Sequence, residues 1–417
     1  MTSKLRVLQV GTGAVPIPPT GAFGIERAIH TLSGALQDAG HEVTLLDVAS
    51  VEREPVPYTV QAIDVKPWEE ASSILPRISR VARFSLRAAA RMRSLHKAGA
   101  FDVLHCHYQF PGGAVVPLAK ARGIPVVYSV HNYIWSDLAQ YRETYRRVLR
   151  RGNARAVLWL QMERLAIRAA DAVTCQTEPI ARNVAAELGL RREKVSVFPH
   201  ALPDSWFGAC PVGGKACGSA AGRQDAVVLC VGRLAPVKNQ AVLVEALPRL
   251  RAEVPSARFL FVGPASDDGY ARQLRTALAA SGEAEAVTFL EGIAEEELRR
   301  LYKTSSLFAL PSLAESSPAS LLEAMASRTP VVASDIETLR WLLPPGCGVL
   351  LPPSDSEAWA DAIVGLLKDG ERRRQLTDRA FQHAYENHRW AAVVGRLVEL
   401  YQDVLQAKSR SSRRRAA

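Results

Sequence analysis

Short apolar runs alternate with stretches of helical period along this chain, and they do so in two separate series. In the first, Leu5 to Val10, Glu42 to Val48, Asp102 to His107, Pro125 to His131, Ala172 to Gln176 and Val195 to Pro199 read as strands, with Ile25 to Asp38 as a helix between the first two. Strands that alternate with helices imply a parallel sheet covered on both faces. The pattern lapses over Trp206 to Arg223, then resumes with Ala226 to Val231, Phe259 to Val262, Val287 to Leu290, Leu307 to Leu310, Pro330 to Ala333 and Gly348 to Leu351. The expected architecture is therefore α/β, with two doubly wound, Rossmann-like domains over residues 1–205 and 225–390 and a linker at 206–224. Ligands of such sheets bind beyond the carboxyl ends of the strands, so two sheets with opposed ends would enclose a cleft.

Length agrees with this division, because 417 residues exceed what one core of about 150 residues normally holds. Apolar runs all stop short of the roughly 20 residues that a membrane-crossing helix needs. The chain enters its first strand directly at Lys4, without the features of a signal peptide. Six cysteines (Cys106, Cys175, Cys210, Cys217, Cys230, Cys347) show no metal-ligand spacing and read as reduced thiols of a cytoplasmic protein. A net charge of +10 calls for an anionic partner, but 7% aromatics and the lack of a nucleic-acid motif argue against nucleic acid. Part of that charge lies in residues 409–417, expected to be a disordered basic tail.

Chemistry concentrates in Pro311 to Ala326, PSLAESSPASLLEAMA. It reads as a strand end, a short loop and a helix entered through Ser317 as N-cap, with Pro318 at the first helical position. The backbone N–H groups of Ala319 and Ser320 would then point from the positive end of a helix dipole, where anions bind. Glu315 in the loop and Glu323 inside the helix would flank that anion and accept bonds from hydroxyls on either side. A phosphate between two polyols is the chemistry of a nucleotide sugar.

Arg233 and Lys238, in Val231-Gly-Arg-Leu-Ala-Pro-Val-Lys-Asn239, follow another strand end and could neutralise a diphosphate. His131 ends a strand of the first domain, as do His105 and His107 nearby, which are weaker candidates. Gly21 and Gly24 lie in a loop after the first strand, where glycine lets backbone approach a ligand. Asp47 could act as the ribose acid of an NAD site, but the loop is about a dozen residues long and lacks the third glycine at the required place. Two basic helical stretches, Arg80 to Lys97 and Arg142 to Arg155, could meet an anionic membrane peripherally.

Taken together, the motifs resemble those of retaining glycosyltransferases of the GT-B fold, in the group called family four. The resemblance spans nearly the whole chain and rests on Gly232-Arg-Leu with Lys238-Asn239, Gly263, Gly292, Pro311-Ser312 through Glu315, Leu322-Glu-Ala-Met-Ala326, Pro330-Val-Val-Ala333 and Gly348-Val-Leu-Leu-Pro-Pro353. Trp390 and a following helix, about 391–408, resemble the family's last helix, which returns to the first domain. The resemblance implies that Arg233 and Lys238 hold the donor diphosphate, Glu315 the donor sugar and Glu323 the nucleotide ribose. It implies that His131 contacts the transferred sugar, that Gly21, Gly24 and Gly292 line donor-side loops, and that no metal or other cofactor is needed.

Departures from the family pattern are Phe23 before Gly24, Asn132 after His131, Pro199-His-Ala201 in place of a Pro-Asn-Gly turn, Ser316-Ser317-Pro318 between the glutamates, and Arg328 where a glycine usually caps the helix. The function implied is hexosyl transfer with retention from a nucleoside diphosphate sugar, UDP-linked by preference, to a hydroxyl of a small or lipid-linked acceptor. A sugar-nucleotide epimerase on the same fold is the alternative, with an NAD enzyme as the lesser one.

Overall fold

The structure is a computed structural model that describes residues 4–19, 24–49, 55–67, 74–150, 154–208 and 226–416. It divides into two compact units, one of residues 1–199 with 390–417, the other of 200–389.

The first unit holds a seven-stranded parallel sheet in the order β3-β2-β1-β4-β5-β6-β7. The strands are β1 (Arg6–Val10), β2 (Glu42–Val48), β3 (Thr59–Ile63), β4 (Val103–Cys106), β5 (Val126–Val130), β6 (Ala172–Cys175) and β7 (Val195–Val197). Its helices are α1 (Gly24–Asp38), α2 (Ile74–Lys97), α3 (Gln109–Ala121), α4 (Leu138–Arg150), α5 (Ala154–Ala169) and α6 (Glu178–Leu188). Strands β4, β5 and β6 are buried along their whole length. That is why they read as continuous apolar runs rather than alternating ones. Strand β3 escaped the sequence reading because it is the edge strand, half exposed along most of its length, and its three apolar residues are interrupted by Gln61.

Two helical layers cover this sheet. Phe84, Ala88 and Met92 of α2, Val115 and Val116 of α3, and Leu160, Ala166 and Ile167 of α5 share one core with Leu8, Leu104 and Tyr128. On the other face, Ile29 and Leu32 of α1 pack with Val394, Leu397, Val398 and Tyr401 of a long terminal helix.

The second unit repeats the design with a six-stranded parallel sheet, β10-β9-β8-β11-β12-β13. Its strands are β8 (Ala226–Val231), β9 (Ala257–Val262), β10 (Val287–Leu290), β11 (Leu307–Leu310), β12 (Val331–Ser334) and β13 (Val349–Leu351). Around them lie α7 (Gln240–Glu253), α8 (Asp268–Ala280), α9 (Glu295–Thr304), α10 (Ala319–Ala326), α11 (Glu337–Leu342), α12 (Ser356–Lys368) and α13 (Gly370–Asn387). The terminal helix α14 (Trp390–Ala416) then belongs to the first unit, and it runs on as helix through most of the stretch expected to be disordered. Cys106, Cys175, Cys230 and Cys347 are buried free thiols, while Cys210 and Cys217 lie outside the described residues.

Strand order reverses between β1 and β4 in one sheet and between β8 and β11 in the other. These reversals part the connecting loops and leave a crevice at the strand ends, the usual ligand position in open α/β sheets.

Candidate functional site

At the reversal in the second sheet, the loop after β8 is tied by backbone to the end of β9 and its loop, and to the loop after β11. The Gly232 N–H donates to the Val262 carbonyl at 2.9 Å, and the Leu234 N–H to the Pro264 carbonyl at 2.9 Å. Gly263 makes this approach possible: its φ is +143°, and a Cβ there would lie 2.4 Å from the Gly232 carbonyl oxygen. A single 3₁₀ turn, Pro236–Lys238, carries the chain to Asn239, which is left-handed at φ 52°. Its amide donates to the carbonyls of Pro311 (3.1 Å) and Pro353 (2.7 Å), and the Leu313 N–H donates to the Val237 carbonyl at 2.8 Å.

This bracing sets Lys238 against Glu315, Nζ to Oε1 at 2.5 Å. The hydroxyl of Ser312 donates to the same oxygen at 2.6 Å. The pair is largely sequestered, with side-chain exposures of 20% and 8%, so it is a directional contact rather than a screened surface pair. Arg233 is exposed, and its carbonyl accepts from the Gln240 amide at 3.0 Å.

Helix α10 begins one residue away from the sequence reading. Pro318, not Ser317, is the N-cap, and among the described residues no side chain caps the helix. Proline offers no side-chain oxygen, so the first-turn N–H groups of half-buried Ala319 and Ser320 gain no side-chain acceptor from the cap. Ser317 itself is buried, and among the described residues its hydroxyl has no partner. Glu323 is buried inside the helix and accepts from the Tyr302 hydroxyl of α9 at 2.9 Å. Gly292 stands exposed at φ +67° after β10, the edge strand, two strands from β8.

The structure thus brings Lys238 and Glu315 into contact and sets both on the loops that border α10. His131 and Gly24 belong to the other unit. Gly24 opens α1, with no described residue beyond its chain neighbours within 4 Å of where a Cβ would stand, and Gly21 lies outside the described residues.

His131 follows β5, its Nε2 3.2 Å from His107 Nδ1 and its Nδ1 3.0 Å from the Gln176 amide nitrogen. His105 is fully buried between the Tyr401 hydroxyl (2.7 Å) and the Ser129 hydroxyl (2.8 Å). Burial, with His131 nearby, lowers its pKa to about 3, so it is a neutral core histidine and not a catalytic one.

Two partners were missed in the sequence. Tyr302 lies in a strongly amphipathic helix with no local sign of its role. Glu163, the lone acid of α5, is buried under the residues after His131. The Trp135 indole donates to it at 3.0 Å, and the Asn132 side chain bonds to it as well. Burial pushes its carboxyl up to about 7, against these two bonds, which pull it down. Asn132 also caps the following turn by accepting from the Ile134 N–H at 3.2 Å. An amide serves both neighbours, whereas a carboxylate at 132 would face Glu163 with like charge.

Asp47 does not match the dinucleotide alternative. It is fully buried and accepts from the Ile17 N–H at 2.8 Å, so the carboxylate holds the loop after β1 rather than a ribose.

The chain matches known proteins along nearly its whole length. The family model for group 1 glycosyl transferases matches residues 219–383, and that for glycosyltransferase family 4 matches 23–205. D-inositol 3-phosphate glycosyltransferase of Nocardia farcinica is 30% identical over 97% of this chain and 90% of its own length. Among solved structures, sucrose-phosphate synthase of Thermosynechococcus elongatus superposes with a TM-score of 0.75 at 21% identity, covering 97% of this chain and 100% of that one. Anabaena HepE, solved with UDP and glucose, gives 0.69 at 18% identity, covering 96% and 100%. With relatives matched along nearly its full length and both halves matched by family models, the chain belongs to the group 1 glycosyltransferases of the GT-B fold.

Proposed function

We propose that this enzyme moves a hexosyl group from a UDP-sugar to a hydroxyl of a small-molecule or lipid-linked acceptor, in the cytoplasm and with retention of anomeric configuration. The observation that carries this reading is the Lys238–Glu315–Ser312 cluster at the strand reversal, beside the N-terminus of α10. A cation, a carboxylate and a helix terminus without a side-chain cap are what a diphosphate joined to a sugar requires. The UDP and glucose bound by the HepE neighbour support the choice of donor.

In this reading Arg233 and Lys238 hold the diphosphate, with the N–H groups of Ala319 and Ser320 as further donors. Glu315 accepts from sugar hydroxyls, Glu323 accepts from the ribose with Tyr302 fixing its carboxylate, and His131 contacts the transferred sugar. The bond from the anomeric carbon to the phosphate oxygen breaks, and the acceptor oxygen attacks from the same face. The departing phosphate oxygen takes the acceptor proton. Charge that grows on the diphosphate is stabilised by the two basic side chains, so no divalent ion is required.

Thermal unfolding with UDP, GDP, ADP and NAD in turn tests the site. UDP at a hundred times its dissociation constant should add about 2.7 kcal/mol to the parent, and Glu323→Ala should lose most of that gain. A shift with NAD and none with UDP would refute the reading.

A further inference from the structure

The positive charge of this protein is concentrated in one place. Helices α2, α4 and α5 together carry fourteen Arg and Lys residues against two Glu, a surplus of twelve, while the whole chain has a surplus of ten. The rest of the chain therefore sums to a net charge of about −2, although residues 409–417 alone hold four Arg and no acid. All three contribute to the single core on one face of the first sheet, so the charge belongs to one helical layer. One of the two acids, Glu163, is buried and faces inward.

The same layer shows its leucines. Among the described residues five large apolar side chains are exposed, and four of them are on these helices: Leu86 (69%), Leu149 (49%), Leu158 (55%) and Leu165 (47%). Leu86 stands between exposed Arg83 and Arg87, and Leu149 between exposed Arg147 and Arg150. Leu158 and Leu165 are seven residues apart and so share one face of α5. Arg87 is paired with Asp64 and Arg142 with Glu187, but among the described residues no carboxylate pairs with Arg146, Arg147 or Arg150. No described helix is long and apolar enough to cross a membrane.

We infer that this layer docks the enzyme on an anionic lipid bilayer. Guanidinium groups would meet the headgroup phosphates while the leucines enter the boundary below them. The interleaved leucines choose the bilayer over nucleic acid, since a phosphate backbone gives Arg a partner but leaves a leucine between two Arg residues with nothing to enter. The inference bears on the lipid-linked branch of the proposed function, but binding is measured without donor or acceptor, so either can fail alone.

The experiment is sedimentation of the full chain with vesicles of phosphatidylcholine, alone or mixed with phosphatidylglycerol. Binding should need phosphatidylglycerol and weaken as salt rises. The combined Arg146→Glu, Arg147→Glu, Arg150→Glu variant should lose at least about tenfold in affinity. Arg83→Glu with Arg93→Glu serves as the second variant should the first fail to fold. Leu149→Ser with Leu158→Ser should lower affinity and keep the salt dependence, and reversing Arg413, Arg414 and Arg415 should change nothing. The inference is overturned by equal binding to neutral vesicles, by absent binding to anionic ones, or by loss only in the tail variant. It is overturned equally if the leucine variants bind normally and duplex DNA displaces the vesicles, since a polyanion would then be the partner.

Discussion

Arg328 holds a backbone conformation that side chains avoid. It follows α10 at φ 57°, with its N–H donating to the Met325 carbonyl and the Thr329 N–H to the Ala324 carbonyl. That is the helix-ending pattern that glycine usually serves. What holds an arginine there is its side chain, which reaches Asp378 at 2.7 Å and lies 3.8 Å from the Phe381 ring centre. Arg328→Ala should therefore destabilise the second unit more than Arg328→Gly does, by about 1 kcal/mol, because both lose the contacts but only glycine relieves the backbone. Urea unfolding of the two variants checks this, and equal stabilities would exclude strain.

Glu163 gives the second residue-scale expectation. Its folded pKa of about 7 lies above the ordinary 4.5, so between these values the folded state keeps a proton that the unfolded state has lost. Its contribution to stability therefore falls as pH rises through that window, by about 3 kcal/mol. His105 and His200, lowered to about 3 and about 4, act oppositely, since the unfolded chain gains their protons first as pH falls. Unfolding free energies of the parent and Glu163→Gln, measured from pH 4.5 to 8, separate the two effects. Their difference should vary with pH by about the amount given, and a constant difference would contradict it. The sequence could show the site residues one by one but not these contacts. Lys238 and Glu315 are 77 positions apart, and Ser317 and Pro318 are equally plausible helix starts until the backbone is seen.

Among elements, the loop after β8 depends most on its neighbour. Gly263→Ala would place a methyl group against the Gly232 carbonyl at an unfavourable φ, with no flexible side chain to yield. The expected cost is about 3 kcal/mol or more, together with loss of the UDP-induced thermal shift, because Gly232 and Arg233 must move. A variant with normal unfolding and a full UDP shift would show that the approach is dispensable. Elements were the most legible level of this chain. Strands β2 and β11 carry the bounds that their apolar runs suggest, because a strand covered by helices on both faces has no reason to alternate. The helical spacing of Val81, Phe84, Ala88, Met92 and Leu95 marked the inner face of α2, where the first four are buried and Leu95 is half-buried. Where burial is partial, as in β3, the signal fades.

At the scale of the whole molecule, two sheets of the same winding are joined by a chain that crosses between units twice, near residue 200 and near residue 390. Two series of strands in the sequence revealed the duplication, but nothing in either series ties Tyr401 to His105, 296 positions earlier. That contact bears on how the protein is made. A ribosome releases residues 4–199 long before α14, and until α14 arrives the face formed by Leu5, Ile29, Leu32 and Val43 has no cover from Val394, Leu397, Val398 and Tyr401. The unit of residues 200–389 is continuous, so it can close as soon as its own last helix emerges. The half that is synthesised first is therefore the half that is finished last, and it is this half that would profit from a chaperone during synthesis.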